Sequence, residues 1–134
     1  MPFLTSAKLL GINGIFPLAS TFKAALFAAA AALDATRATY TSTNEASGAG
    51  YTTGGVTMSG RLTSASGTKG IATFNNLQWT GLTLTDFRYL ELYDTTNSNR
   101  SCVVYDLGAQ SISAGTLNIN WPTYDSTNAM LRIA

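Results

Sequence analysis

The stretch that decides the fold is FRYLELYDTTNSNRSCVVYDL, which spans residues 87–107. Apolar and polar side chains alternate through its first seven residues, as they do on the two faces of a β-strand. The polar segment DTTNSNRS is typical of a turn, and CVVYDL then returns as a second strand. Residues 87–107 therefore predict an antiparallel hairpin whose loop is longer than the two-residue minimum.

The first strand of this hairpin has two apolar faces. Leu90 and Leu92 share one face, and Phe87, Tyr89 and Tyr93 share the other. One face should form core. Because the aromatic face is too apolar for bare solvent, we expect it to meet a second sheet or another subunit.

The rest of the chain after Tyr51 repeats this pattern of short apolar runs separated by turn residues. Gly108 should break the second hairpin strand. TLNINW, at residues 116–121, alternates cleanly and should end at Pro122, and Met130–Ile133 should form a last short strand. The number of strands and their spacing indicate an all-β, mainly β fold: an antiparallel β-sandwich similar to a jelly roll.

Residues 22–33 are ambiguous between strand and helix. The alanine run has high helix propensity, whereas its start, FKAALF, suits a buried strand, and twelve residues do not settle the choice by periodicity. We favour a strand at Phe22–Phe27 that passes into a helical turn. The fold can include one short helix near residues 28–34.

The first 20 residues predict an extended N-terminal arm, and residues 21–134 the β-sandwich domain. The arm has no compact basic region and is interrupted by Gly11, Gly14 and Pro17, so it does not resemble a targeting signal. The apolar run Ala24 to Leu33 is too short for a bilayer, and no membrane partner is expected. The arm is nevertheless apolar enough to require a contact surface. Its candidate contact residues are Phe3, Leu4, Leu9, Leu10, Ile12, Ile15 and Phe16.

Composition argues against a nucleic-acid partner. The net charge is +1, and the eight basic residues are scattered along the chain without a basic block. Charged residues make up only 11%, against about 25% in a typical soluble domain. A weakly ionic surface of this kind is expected where neighbouring subunits cover much of a protein.

Most catalytic chemistry is also disfavoured. The sequence has no histidine, which excludes Ser-His-Asp and Cys-His catalysis and histidine-ligated zinc. Cys102 is the only cysteine, so an intrachain disulfide and a thiolate cluster are excluded, and a buried inert thiol is expected. Glu91 and Asp106 lie on adjacent predicted strands and could approach each other, but facing strand acids are far more often structural than catalytic. We expect no enzyme, no cofactor and no metal.

The glycine-rich stretch NEASGAGYTTGG, at residues 44–55, does not suit a phosphate site. A P-loop requires a lysine after its glycines, and none is present. A Rossmann turn opens a helix, whereas the residues after Gly50 favour a strand. We interpret the stretch as a turn that glycine permits, which bends the backbone and starts a strand.

The same stretch resembles a recurrent motif. TNEASGAGYTTGGVTM, at residues 43–58, matches the pattern T-N-E-x-S-G-x-G-Y-x-x-G-G-x-x followed by Leu or Met, which is found in small virion-associated proteins of tailed bacteriophages. The resemblance continues in order through FKAALF before the motif, and through LQW, RYLELY and SAGTLNINW after it. It covers about residues 22–133 and leaves the arm outside. The long alanine run is a departure, since similar proteins carry more polar residues there.

The resemblance implies a structural role in a virus particle without catalysis. It makes residues 44–55 a shaping loop, in which glycines give sharp turns and a tyrosine pins the loop to the sheet. The residues of this loop that we single out are Asn44, Glu45, Gly48, Gly50, Tyr51, Gly54 and Gly55.

On this basis we expect a capsid decoration or cement protein, a homotrimer bound to the major capsid protein at capsomer junctions. It would lie on the outer surface of the virion, and in the host cytoplasm during assembly. Two alternatives stay open: a tail or neck adaptor or fibre-base component, and a carbohydrate-binding module on the particle surface. An enzyme fits the sequence least.

Overall fold

A computed structural model describes residues 4–134. The predicted mainly β fold with antiparallel sheets is confirmed. Within the described residues, no helix is long and apolar enough to span a membrane. The elements are α1 (Thr5–Ile15), β1 (Phe22–Ala28), a 3-10 turn (Ala29–Ala31), β2 (Val56–Thr57), β3 (Leu62–Ser66), β4 (Lys69–Thr73), β5 (Leu77–Asp94), β6 (Arg100–Ile119) and β7 (Leu131–Ile133).

The chain forms two compact units, each assembled from separate segments. Among the described residues, the first unit contains residues 4–19, together with Met58–Leu77 and Ile119–Ala134. The second unit contains Ser20–Thr57 and Gln78–Asn118. The sequence prediction divided the chain once, near residue 20, whereas these units alternate along it. The jelly-roll arrangement stays a prediction.

The second unit is built on a four-stranded sheet in the order β2-β1-β5-β6. The predicted hairpin forms its β5 and β6, and β1 pairs antiparallel with β5, placing Leu26 opposite Leu90 and Ala24 opposite Leu92. The predicted strand from Phe22 into a helical turn is also confirmed. Leu26, Leu90 and Leu92 are fully buried because β1 and β5 occupy the middle of the sheet.

β6 is longer than the sequence predicted. Gly108 does not end the strand, because it adopts a φ of +74° inside β6, and Ala114 adopts +46° further along. Positive φ angles of this kind bend or bulge a strand without stopping it. The neighbouring β5 has similar interruptions at Gly81 and Asp86, whose φ angles are +58° and +54°.

The first unit combines α1 with a three-stranded antiparallel sheet in the order β3-β4-β7. The segment predicted as an extended arm is a helix from Thr5 to Ile15. Its inward residues Ile12 and Phe16 are fully buried, and the Phe16 ring meets Phe74 edge-on at 5.3 Å. Burial of this face outweighs the low helix propensity of the two glycines, since most helical stability in proteins comes from packing.

Two contacts fix α1 to its unit. A β-carbon on Gly70 would lie 2.7 Å from the backbone of Lys8, so glycine is what lets the helix approach β4 so closely. At the other end, Arg61 Nε donates to the carbonyl oxygen of Phe16 at 2.5 Å, and Arg61 Nη2 donates to Asn13 Oδ1 at 3.0 Å. A cation at a helix C-terminus satisfies carbonyl groups that the helix leaves unpaired.

Candidate functional site

The first residues of the shaping loop pair with the end of β1 as a short additional strand would. The amide of Ala28 donates to the carbonyl oxygen of Asn44 at 3.0 Å, and the amide of Ala46 donates to Leu26 at 2.9 Å. Asn44 turns the chain into this position with a φ of +60°, a conformation that asparagine adopts more readily than most residues. The loop therefore extends the sheet on the side where β2 is only two residues long.

The Glu45 side chain ties the loop together. Its carboxylate accepts hydrogen bonds from the Tyr40 hydroxyl, from the Tyr51 hydroxyl at 2.6 Å and from the Gly54 amide at 2.7 Å. The Tyr51 hydroxyl in turn accepts from the Leu26 amide at 2.8 Å. Tyr51 thus joins the loop to the backbone of β1, and one carboxylate joins Tyr51 and Gly54 of the loop to Tyr40 before it.

Three loop glycines are required by close backbone contacts. A β-carbon on Gly48 would lie 2.0 Å from the carbonyl oxygen of Thr83. On Gly50 it would lie 2.5 Å from the backbone of β5, and on Gly55 1.8 Å from the backbone of β1. Gly50 and Gly55 also have φ angles of +79° and +78°. Gly54 differs, because its φ is +97° but a β-carbon there would meet only side-chain atoms, at 3.6 Å or more.

The aromatic face of the hairpin is covered by the chain's own segment 31–45. Tyr40 stacks on Tyr93 with ring centres 4.2 Å apart, and it meets Phe27 edge-on at 6.0 Å. Leu33 packs on the same cluster. The expectation that this face meets a second sheet or another subunit is therefore corrected: a long loop, which strand periodicity does not detect, closes it.

Glu91 and Asp106, the two acids on adjacent strands, each form an ion pair with an arginine. The Glu91 carboxylate is fully buried and bonds to Arg37 Nε at 2.6 Å, while Asp106 forms two bonds to Arg88 at 2.8 and 2.9 Å. The hydrogen bonds from Arg88 lower the pKa of Asp106 to about 2. The two acids that could have formed a pair are each neutralised by a separate arginine, which gives both a structural role.

An open groove of about 350 Å³ lies between the segment around Leu33 and the first residues of β6. Cys102 contributes to its lining, together with Tyr89 and Val104. Burial raises the pKa of the Cys102 thiol to about 11. Cys102 is half-buried, so the expected full burial is not found, and the inertness of its thiol stays a prediction.

The predicted contact residues of the arm separate into two groups. Leu4 and Leu10 are exposed at 68% and 72%, and Leu9 and Ile15 are half-buried, whereas Phe3 lies outside the described residues. Ile12 and Phe16 are corrected: they are fully buried in the first unit, because residues four apart share one face of a helix, so neither is available to a partner.

Two exposed leucines were not predicted as contact residues. Leu18 follows the helix and is 81% exposed, and Leu62 on β3 is 53% exposed. Both belong to the first unit, as do Leu4 and Leu10. Leu18 lies within the predicted arm, so its apolar character was an available signal. The sequence around Leu62 gave no such signal, because LTSAS is too polar and too short to be predicted as a strand.

No protein-family model matches this chain, and no curated protein or solved structure is detectably similar to it. The resemblance to virion proteins of tailed phages rests on the motif at residues 43–58 and on the order of the segments around it.

Proposed function

We propose that this chain is a structural virion protein of a tailed phage, a decoration or cement protein that binds the outer capsid surface at capsomer junctions and stabilises the head. The motif around the shaping loop supports the class of protein. The loop itself is closed by internal hydrogen bonds, so its role in this proposal is to shape the second unit, and binding is assigned to the first unit.

The observation that carries the proposal is the distribution of exposed leucines. All large apolar side chains that are exposed within residues 4–134 belong to the first unit: Leu4, Leu10, Leu18 and Leu62. These exposed side chains are the candidates in this chain for apolar contact with a partner. Burying a leucine side chain contributes about 1.5–3 kcal/mol, so even partial burial of four provides substantial binding energy.

The binding partner is the major capsid protein. Capsomer junctions repeat over the head, so many copies of the chain can bind at equivalent sites. The stabilisation of the head then increases with the number of bound copies. The homotrimer expected from the resemblance stays a prediction. A glycan partner has less support, because Trp79, Tyr89 and Tyr93 are buried within the second unit and are not free to stack on a sugar.

Cryo-EM reconstruction of particles carrying this chain tests the proposal directly. We expect density at capsomer junctions with Leu10 and Leu18 against the capsid protein. Density at the neck or tail would contradict the head location, and absence from the particle would contradict the class.

A binding assay with stripped particles tests the contact surface separately. The double variant Leu10→Ser/Leu18→Ser should lose binding, while Leu10→Met/Leu18→Met should retain it because methionine keeps the apolar surface. Equal binding of the two variants would remove these leucines from the interface.

A further inference from the structure

The groove between the segment around Leu33 and the first residues of β6 has an apolar side. Tyr89 and Val104 contribute to its lining from β5 and β6, and Leu33 contributes from the covering segment. All three belong to the aromatic cluster around Phe27 or pack against it, and the whole lining lies in the second unit. Ligand pockets hold roughly 300–1,000 Å³, so a groove of about 350 Å³ suits a small ligand.

The polar side of the groove is fixed by hydrogen bonds of the chain itself. Asp34 Oδ1 accepts from the Thr36 amide at 2.9 Å and from the Thr36 hydroxyl at 2.6 Å. The bond from the Thr36 side chain, and then that from its backbone, lower the pKa of Asp34, so its carboxylate is ionised at neutral pH. Further along, the Ser101 amide donates to the carbonyl oxygen of Ala38 at 3.0 Å and ties the segment to β6.

The Asp34 carboxylate is the uncompensated charge of this lining. Arg37, which also lines the groove, is paired with the buried Glu91. Asp106 lines it as well, and is paired with Arg88. Within residues 4–134, Asp34 forms no ion pair and its Oδ2 accepts no hydrogen bond. The groove therefore presents one negative charge that no cation of the described chain neutralises.

The Tyr89 hydroxyl is a second polar group without a partner. Tyr89 is only 8% exposed, yet within the described residues its hydroxyl forms no hydrogen bond. In that part of the chain, the fully enclosed side-chain nitrogen or oxygen without a partner is Trp79 Nε1, so the Tyr89 hydroxyl is not sealed off. Because Tyr89 lines the groove, a ligand there can reach this hydroxyl. Buried tyrosine hydroxyls usually have a partner, which a ligand would supply here.

We propose that this groove binds a primary ammonium group carried on an unbranched alkyl chain. The ammonium donates to Asp34 Oδ2 and to the Tyr89 hydroxyl, and the alkyl chain packs on Leu33 and Val104. An ammonium is compact and has three donors and no acceptor, which suits a small groove with two unused oxygens. A small free amine and a lysine side chain offer the same chemistry. This inference does not depend on the capsid proposal.

Titration of the ¹⁵N-labelled full chain, followed by two-dimensional NMR, tests the ligand class with probes of similar shape. We expect n-butylamine to shift the amide signals of residues 33–37 and 101–104 saturably, and 1-butanol and butanoate to bind much more weakly. Equal or tighter binding of 1-butanol or butanoate, or no saturable shift with n-butylamine, would overturn the proposal. Nα-acetyllysine methylamide separates the two sources: its binding extends the site to lysine side chains, and its exclusion limits the site to free amines.

Substitutions test the two proposed contacts. Asp34→Asn replaces the charged oxygen by an amide, and Tyr89→Phe removes the hydroxyl but keeps the ring. Each should weaken n-butylamine binding roughly two- to fivefold, the effect of one exposed ion pair or one hydrogen bond. Unchanged affinity in both variants would overturn the proposal, and circular dichroism verifies that each variant is folded.

Asp125→Asn is the matched control. Asp125 Oδ1 accepts from the amides of Thr127 and Asn128 in a turn like that of Asp34, but it belongs to the first unit and does not line the groove. The substitution removes the same charge and should leave n-butylamine binding unchanged. Equal weakening by Asp34→Asn and Asp125→Asn would reduce the effect to net charge and overturn the site. The assay contains no particle, so its result and that of the capsid-binding assay are independent.

Discussion

At the scale of single residues, the Tyr51 hydroxyl connects the shaping loop to β1 through two hydrogen bonds. It accepts a hydrogen bond from the Leu26 amide and donates one to Glu45. Tyr51→Phe leaves a backbone amide and a carboxylate oxygen without this partner while keeping the ring. We expect a loss of about 1–3 kcal/mol in the free energy of unfolding, the usual cost of an unpaired polar group away from water.

Urea unfolding measures this loss, and Tyr124→Phe is a suitable control. Within residues 4–134, the Tyr124 hydroxyl forms one hydrogen bond, to Ser64 Oγ at 3.0 Å, and removing it leaves no backbone group unpaired. Equal losses for the two variants would show that Tyr51 does not pin the loop.

The adjacent glycines Gly54 and Gly55 should differ in how strongly substitution by alanine destabilises the protein. Gly55→Ala places a β-carbon 1.8 Å from the carbonyl oxygen of Ala24, so the strand pairing beneath it must separate. Gly54→Ala has room, and costs only the roughly 1–2 kcal/mol of a left-handed backbone conformation. We expect Gly55→Ala to be much the less stable of the two in thermal unfolding. The opposite order would contradict the close approach of the loop to β1.

Tyrosine ionisation gives a prediction about alkaline pH. Burial, and then the nearby charges of Glu45 and Glu91, raise the pKa of Tyr93 from 10.0 to about 12. Burial, followed by the hydrogen bond to Glu45, raises the pKa of Tyr40 and of Tyr51 as well. Because the folded-state pKa exceeds the unfolded value, this stabilisation is complete below about pH 10 and is lost as the pH rises through the folded-state values.

Ultraviolet titration of tyrosinate, with stability measured at each pH, tests this expectation. Tyr40, Tyr51 and Tyr93 should ionise only above pH 10, together with unfolding. In Glu45→Gln the Tyr93 pKa should fall towards its ordinary value, since one negative charge is removed. If all six tyrosines ionise together near pH 10 in the folded protein, the buried network is absent.

At the scale of elements, the sequence predicted what depends on local alternation. The hairpin at residues 87–107 and the strand from Phe22 follow from side-chain periodicity, and the structure confirms both. The helix at Thr5–Ile15 was missed because its two glycines disfavour a helix locally, while packing on β4 stabilises it. Closure of the aromatic face by residues 31–45 was missed for a related reason: a covering loop has no period.

The helix supplies a stability prediction of its own. Ile12 is fully buried, so Ile12→Ala should lower the free energy of unfolding by about 2–5 kcal/mol. Leu10 lies on the same helix but is 72% exposed, so Leu10→Ala should change it by less than about 0.5 kcal/mol. Urea unfolding of the two variants compares them directly. Similar losses at both positions would mean that α1 does not bury the face assigned to it.

At the scale of the whole molecule, the two units have contrasting surfaces. In the second unit, Tyr40 donates to Glu45 of the shaping loop, Arg37 pairs with Glu91 of β5, and the aromatic cluster around Phe27 is enclosed. In the first unit, α1 buries Ile12 and leaves Leu10 exposed, and Leu4, Leu18 and Leu62 outside the helix are exposed as well. This contrast could not be predicted from a sequence in which apolar residues occur throughout, because it depends on which of them the fold encloses.

The low content of charged residues leads to a prediction about how salt affects binding to the capsid. With a net charge of +1 and only 11% charged residues, binding through the exposed leucines should depend little on ionic attraction. Dissolved salt screens exposed charges over about 10 Å at 0.1 M but does not weaken apolar burial. We therefore expect binding to stripped particles to persist, or to strengthen, from low salt to about 1 M sodium chloride. Co-sedimentation with particles at each salt concentration measures this, and release at high salt would assign the interface to charged residues instead of Leu10 and Leu18.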